Sequence, residues 1–271
     1  MSEFVDSVAL GVLQGLTEFL PVSSSGHLQA LKTMQDSPEL ASKTLDIFLH
    51  FATLLAVFLV FRRDFVQLAR GCFGGGEPRR RLLLVLVGAV PAGVVGLIIK
   101  KFDLLEGLET SFPYLVPICW LLTAGALWSL RKQVDGAREI DLKLALWVGC
   151  WQALAILPGV SRSGITIVSA LWLGCRRESA ATFSFLTATP LILGATVLEI
   201  LDVFGSEGTG MAAGSVWPYL AGGVAAFVTG LGALVLLLRM LRGGALHRWA
   251  FYLVPVAVAY TAWLLLRNGG A

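Results

Sequence analysis

The sequence predicts an all-α integral membrane protein built as two inverted repeats, each a re-entrant helix hairpin plus three transmembrane helices. Three observations predict it. Of 271 residues, 56% are hydrophobic and only 14% charged, and a mean hydropathy of +0.77 belongs to a chain solvated by lipid rather than water. Six apolar runs are long enough to cross a bilayer, which takes about 17–25 residues. Two further apolar regions are interrupted by hydroxyl-rich turns that read almost as copies of each other.

In chain order, the first element is the broken region Phe4–Leu31, interrupted by Pro21-Val22-Ser23-Ser24-Ser25-Gly26-His27. It lacks a basic start and contains Glu18, so it reads as mature structure rather than a cleaved signal peptide. Spans are expected at Leu45–Phe61, Leu82–Ile99 and Tyr114–Leu130. The second broken region, Leu142–Leu173, is interrupted by Pro158-Gly159-Val160-Ser161-Arg162-Ser163-Gly164. Three more spans are expected at Phe183–Leu201, Val216–Leu238 and Trp249–Leu266. A shift of 138 residues superposes Gly11 on Gly149, Gln14 on Gln152, Ser23 on Ser161, Ser25 on Ser163 and Gly26 on Gly164. The chain is therefore one membrane domain, with repeat one at about 1–135 and repeat two at about 136–271.

Lys and Arg set the orientation. They gather in Arg62–Arg81, in Arg131–Lys143, at Arg176 and Arg177, and at Arg239, Arg242 and Arg248. All four groups face the cytoplasm if the two broken regions enter and leave on one side. The loop Asp202–Ser215 has no base and is expected outside. Lys100 and Lys101 fall on the outer side, against the rule. Three spans separate the hairpins, so the second is inverted relative to the first and their tips can meet inside the membrane, where broken helices commonly build substrate sites.

Other features exclude other classes. The net charge of +3 gives no footprint for nucleic acid. Cys72, Cys119, Cys150 and Cys175 show no metal-binding spacing and read as small apolar residues. The 10 prolines and 30 glycines suit membrane helices whose neighbours satisfy the freed backbone groups.

Polar groups at membrane depth are costly and mark function. Gln14 and Glu18 are four residues apart and share a helix face. Glu18 can act as a ligand of a divalent cation, Mg²⁺ or Ca²⁺, with Gln14 beside it; it can equally be a general base or pair with Arg162. Ser23, Ser24, Ser25 and Gly26 offer hydroxyls and backbone N–H groups at a helix start, a place that attracts anions. His27, three residues after Ser24, stands where an imidazole could take a hydroxyl proton. Arg162 binds phosphate oxygens bidentately. Ser161, Ser163 and Thr166 add donors, and Gly159 and Gly164 permit close approach. His50 lies inside the first span and reads as a buried, hydrogen-bonded side chain outside the central site.

These two motifs, Gln14 to His27 and Pro158 to Thr166, with Phe183-Ser184-Phe185-Leu186 and Pro190, resemble the bacterial undecaprenyl-diphosphate phosphatase family of the bacitracin-resistance type. The resemblance spans nearly the whole chain. It implies hydrolysis of undecaprenyl diphosphate to undecaprenyl phosphate and inorganic phosphate, which recycles the lipid carrier for peptidoglycan and confers bacitracin resistance. It implies a multi-pass protein of the bacterial plasma membrane whose site opens to the outer, periplasmic side. The family's acidic pair maps to Gln14 and Glu18, its Ser and His to Ser24 and His27, and its Arg to Arg162. Many members carry Glu where this chain has Gln14, which weakens a two-carboxylate metal site. The partners expected are a polyprenyl diphosphate lipid and the bilayer; the sequence leaves the oligomeric state open, a homodimer included. The rival functions are a flippase of undecaprenyl phosphate, which would need Arg162 but not a Ser–His pair, and a non-catalytic lipid-binding scaffold, which leaves Glu18, His27 and Arg162 unexplained.

Overall fold

The computed structural model describes residues 2–35, 43–105, 108, 112–205 and 216–269. They are almost wholly helical. The helices are α1 (Ser2–Phe19), α2 (Ser24–Gln35), α3 (Lys43–Val60), α4 (Arg62–Phe73), α5 (Gly76–Lys101), α6 (Leu115–Ser129), α7 (Leu142–Leu154), α8 (Arg162–Trp172), α9 (Arg177–Gly205), α10 (Trp217–Arg242) and α11 (Ala250–Gly269).

Both broken regions are helix–turn–helix units, as the sequence indicates: α1 and α2 flank one turn, α7 and α8 the other. Local chemistry ends each first helix. Pro21 and then Ser23, at a left-handed φ of 70°, stop α1. Pro158 and Gly159, at φ 97°, stop the chain after α7. Ser161 then caps α8 by accepting from the Gly164 N–H at 3.2 Å, a favoured use of serine.

Among the described residues, four helices are long and apolar enough to cross a membrane: α5, the Arg177–Leu198 part of α9, α10, and Leu246–Arg267. The count rises to five if α3 and α4 form one bent span. Six were expected, and the other two are helices at the expected places but shorter than those four. The expected span Leu45–Phe61 is α3, which runs into α4 through a bend of 86°. That bend falls where the sequence turns charged: Arg62, Arg63, Asp64 and Arg70 cannot follow α3 into hydrocarbon. Asp64 instead pairs with Arg81 at 2.7 Å. The expected span Tyr114–Leu130 is α6, of only 15 residues; the chain tightens into a 3₁₀ turn at Leu130–Lys132. With the three residues of that turn the helical stretch reaches the length of about 17–25 residues that a span takes.

The basic groups come together at one end. Arg80 donates to the Ile140 carbonyl at 3.1 Å. Arg177 donates to the Gln133 carbonyl at 3.0 Å and the Arg242 carbonyl at 3.2 Å. So all four basic clusters of the sequence share one side, while Lys100 closes the far end of α5. Glu106, Glu109 and most of the loop Asp202–Ser215 lie outside the described residues.

Close helix contacts join the two halves of the chain. The most extensive packing of α1 is against α10, in the other half of the chain. A Cβ on Gly11 would lie 2.2 Å from the Gly222 carbonyl oxygen, and one on Gly15 would lie 2.5 Å from that of Ala226. In the second half, α7 packs on α5 of the first, and a Cβ on Gly149 would lie 2.4 Å from the Gly88 oxygen. Gly11 and Gly149, matched by the repeat, thus each seat a broken helix against the opposite half. Small residues of this kind let membrane helices approach. Replacing Gly15 with valine is expected to cost about 1–3 kcal/mol by overpacking, read as a lower unfolding midpoint for the detergent-purified protein.

Candidate active site

The two turns touch. The Gly159 N–H donates to Ser23 Oγ at 3.2 Å, and Ser163 Oγ donates to the Phe19 carbonyl at 2.9 Å. A Cβ at Gly26 would sit 2.9 Å from Gly159 Cα, which is why small residues face each other there. This junction brings Arg162, at the first position of α8, against Glu18, in the last turn of α1.

Glu18 is the hub. Its Oε1 accepts from the Arg162 guanidinium at 2.5 Å. Its Oε2 accepts from Ser24 Oγ at 2.6 Å and from Gln14 Nε2 at 3.1 Å. The Glu18 side chain is 8% exposed and that of Arg162 18%, so the guanidinium keeps a face open. The carboxylate, guanidinium and hydroxyl line one side of a cavity of 1320 Å³, together with Ser23, Ser25, Ser161, Gln152 and His50. The cavity extends to Lys100, in the last turn of α5, and to Asp103 just past it, at the end of α5 that lies away from the basic clusters.

The remaining expected residues divide in two. Ser23, Ser25 and Ser161 are on the cavity wall. Gly26, Ser163, Gly164 and Thr166 are buried behind it. Ser23 accepts from the Gly26 N–H at 3.3 Å and sits 3.2 Å from Ser25 Oγ. Ser161 Oγ is 3.3 Å from Ser163 Oγ. Thr166 donates to the Arg162 carbonyl at 2.7 Å and lies 2.6 Å from Ser184 Oγ. These residues hold Arg162 and the turn in place.

His27 does not meet Ser24. Its Nδ1 is 2.8 Å from the Ser23 carbonyl, which can only accept, so Nδ1 carries the proton. Its Nε2 is 2.9 Å from the Tyr252 hydroxyl, and the ring stacks on Tyr252 with Trp120 beside it. At the start of α2 the imidazole reaches back to the carbonyl four residues earlier instead of to the hydroxyl three earlier. His27 therefore locks the first turn, and Ser24 gives its hydrogen bond to Glu18.

His50 differs from the sequence reading in the opposite sense. It is half-buried and lines the cavity, within electrostatic reach of Glu18. Gln152 is another cavity residue that the sequence left unassigned. It is buried, and neither amide atom has a partner among the described residues. Its only signal in the sequence was its match with Gln14.

Among the described residues no group of three or more His, Cys, Asp or Glu could hold a metal ion. Both Glu18 oxygens are engaged, one by a guanidinium that occupies the place of a cation. Gln14 offers only Oε1, buried and without a partner among the described residues. Gln14 and Glu18 as they stand do not fit a metal held by the protein alone.

The fold and the site together define a multi-pass, all-α membrane protein whose polar centre is assembled from two broken helices. Residues 7–259 match the family described as bacitracin resistance protein BacA, and the chain belongs to that family. It is 40% identical, over 98% of its length and 100% of the relative's, to an undecaprenyl-diphosphatase of Desulfosudis oleivorans. It is 38% identical to undecaprenyl-diphosphatase 3 of Bacillus cereus, with 92% and 93% covered. It is 37% identical to an undecaprenyl-diphosphatase of Korarchaeum cryptofilum, with 95% and 98% covered.

Proposed function

We propose that this chain is a membrane phosphatase that converts undecaprenyl diphosphate to undecaprenyl phosphate and inorganic phosphate. In that role it recycles the lipid carrier for peptidoglycan and confers bacitracin resistance. The observation that carries the reading is the junction of Ser24, Glu18 and Arg162 on one cavity wall. A phosphoryl group needs positive charge on its oxygens and an oriented nucleophile, and Arg162 and Ser24 supply them from opposite halves of the chain. The names of the relatives support the substrate.

In the first step Ser24 Oγ attacks the terminal phosphorus. Its proton passes to Glu18 Oε2, to which it is already hydrogen-bonded. The bond to the bridging oxygen breaks, and undecaprenyl phosphate leaves with the electron pair. Arg162 turns its open face to the phosphoryl oxygens as their charge develops. Ser23, Ser25 and Ser161 add hydroxyl donors. His27 holds the turn and takes no proton in this scheme. The expected Mg²⁺ or Ca²⁺ carries no step. A cation that arrives with the diphosphate would be held by the substrate's own oxygens.

The chain's place in the bacterial plasma membrane, with the site opening outward, is part of the same proposal. Its support is the cavity's extension toward Lys100 and Asp103, away from the basic clusters that the charge rule puts in the cytoplasm. The prenyl chain would stay in the bilayer. One chain completes the junction, so a homodimer would add no residue to it.

The test is release of inorganic phosphate from undecaprenyl diphosphate by the purified protein in detergent, with and without chelator. The expected result is turnover, with any chelator effect confined to substrate binding. Binding of undecaprenyl phosphate without phosphate release from the diphosphate would instead assign the flippase function.

A further inference from the structure

We propose that His50 is the general base for the second half of the reaction, taking a proton from the water that frees phosphate from Ser24. The inference rests on the covalent reading above and goes beyond it.

It starts from a proton count. When Ser24 has been phosphorylated, Glu18 holds the Ser24 proton and has no capacity for another. Hydrolysis of the phosphoserine still needs a base. Arg162 and Lys100 are cations. Asp46 faces the cavity but pairs with Lys32 at 2.8 Å, and Asp103 stands on the cavity wall beyond the end of α5. His27 is outside the cavity lining, with both nitrogens engaged. That leaves His50.

Its geometry suits the task. Nδ1 lies 2.9 Å from the Asp46 carbonyl. A carbonyl only accepts, so Nδ1 carries the hydrogen and the lone pair is on Nε2. Among the described residues Nε2 has no hydrogen-bond partner. The same bond fixes the tautomer and the ring's orientation, as a backbone carbonyl does behind many working imidazoles. The cavity gives water a route to it. Imidazole is the side chain suited to proton transfer near neutral pH.

The step balances. Water oxygen attacks phosphorus and its proton moves to His50 Nε2. The bond from phosphorus to Ser24 Oγ breaks, and Oγ recovers its proton from Glu18. Inorganic phosphate leaves, and His50 returns its proton to water in the cavity.

The experiment uses the full-length protein in detergent and undecaprenyl diphosphate with a radiolabelled terminal phosphate. With H50Q, phosphate release is expected to fall by about 10²-fold, while acid-stable label accumulates on Ser24 toward one per chain. With H50A, added imidazole is expected to restore part of the release and discharge the label. Release by H50Q within about twofold of the parent would overturn the proposal. So would a fall in release with no label, which is the signature of a merely structural His50. An active S24A protein with no label in any variant would instead overturn the covalent reading itself, and this proposal with it.

Discussion

Arg162→Ala abolishes phosphate release, with an expected loss of about 10³-fold or more, the scale on which an arginine serves phosphoryl transfer. The cause is double. The variant loses the one guanidinium that faces both Glu18 and the cavity. It also leaves the Glu18 carboxylate buried without its counter-charge, and breaking such a pair costs about 3–5 kcal/mol. The second effect would obscure the first, so Arg162→Lys is the informative companion. Lysine keeps a positive charge near Glu18 but not the planar fork that can serve a carboxylate and a phosphoryl group together. The expected outcome is a lysine variant with an unfolding midpoint close to the parent's and phosphate release still lowered by at least about 10²-fold. Parent-like turnover by either variant would remove Arg162 from the site.

The sequence made the junction legible because membrane burial makes polar residues conspicuous. Glu18, the serines and Arg162 stand out in apolar segments, and the repeat said that the two turns belong together. The structure joins them through Gly159, Ser23, Ser163 and Phe19. What stayed hidden depends on three-dimensional neighbours. His27 looked like the partner of Ser24 because three residues separate them, yet its second nitrogen is taken by Tyr252, which lies 225 residues away in the chain. His50 looked like an ordinary core residue because nothing in α3 reveals that the cavity runs along that face. The bend after α3 was missed for another reason. Hydropathy measures whether a segment tolerates lipid, and it does not register the angle at which one helix follows another. Asp64 and Arg81 marked the bend only once they were seen paired.

Ser24→Ala is expected to lower phosphate release on the order of 10³–10⁴-fold, as loss of one member of a group that acts as a unit does. The hydroxyl touches only Glu18 among the described side chains, at 2.6 Å. The variant therefore leaves the Arg162–Glu18 pair and the junction of the turns intact, and substrate binding should survive. The stronger claim concerns the pair. If Glu18 matters to the rate because it takes the Ser24 proton, Glu18→Gln loses that function even where the fold tolerates the amide. Adding Ser24→Ala to Glu18→Gln should then cost almost nothing more. A double-mutant cycle in kcat reads this as strong non-additivity between the two sites. Independent, multiplying losses would mean that Glu18 serves Arg162 and the substrate while some other group, or a bound water, handles the proton. The Ser24→Ala protein distinguishes those cases further. If it retains release within tenfold of the parent, the hydroxyl is a binding group, and water rather than serine is the nucleophile.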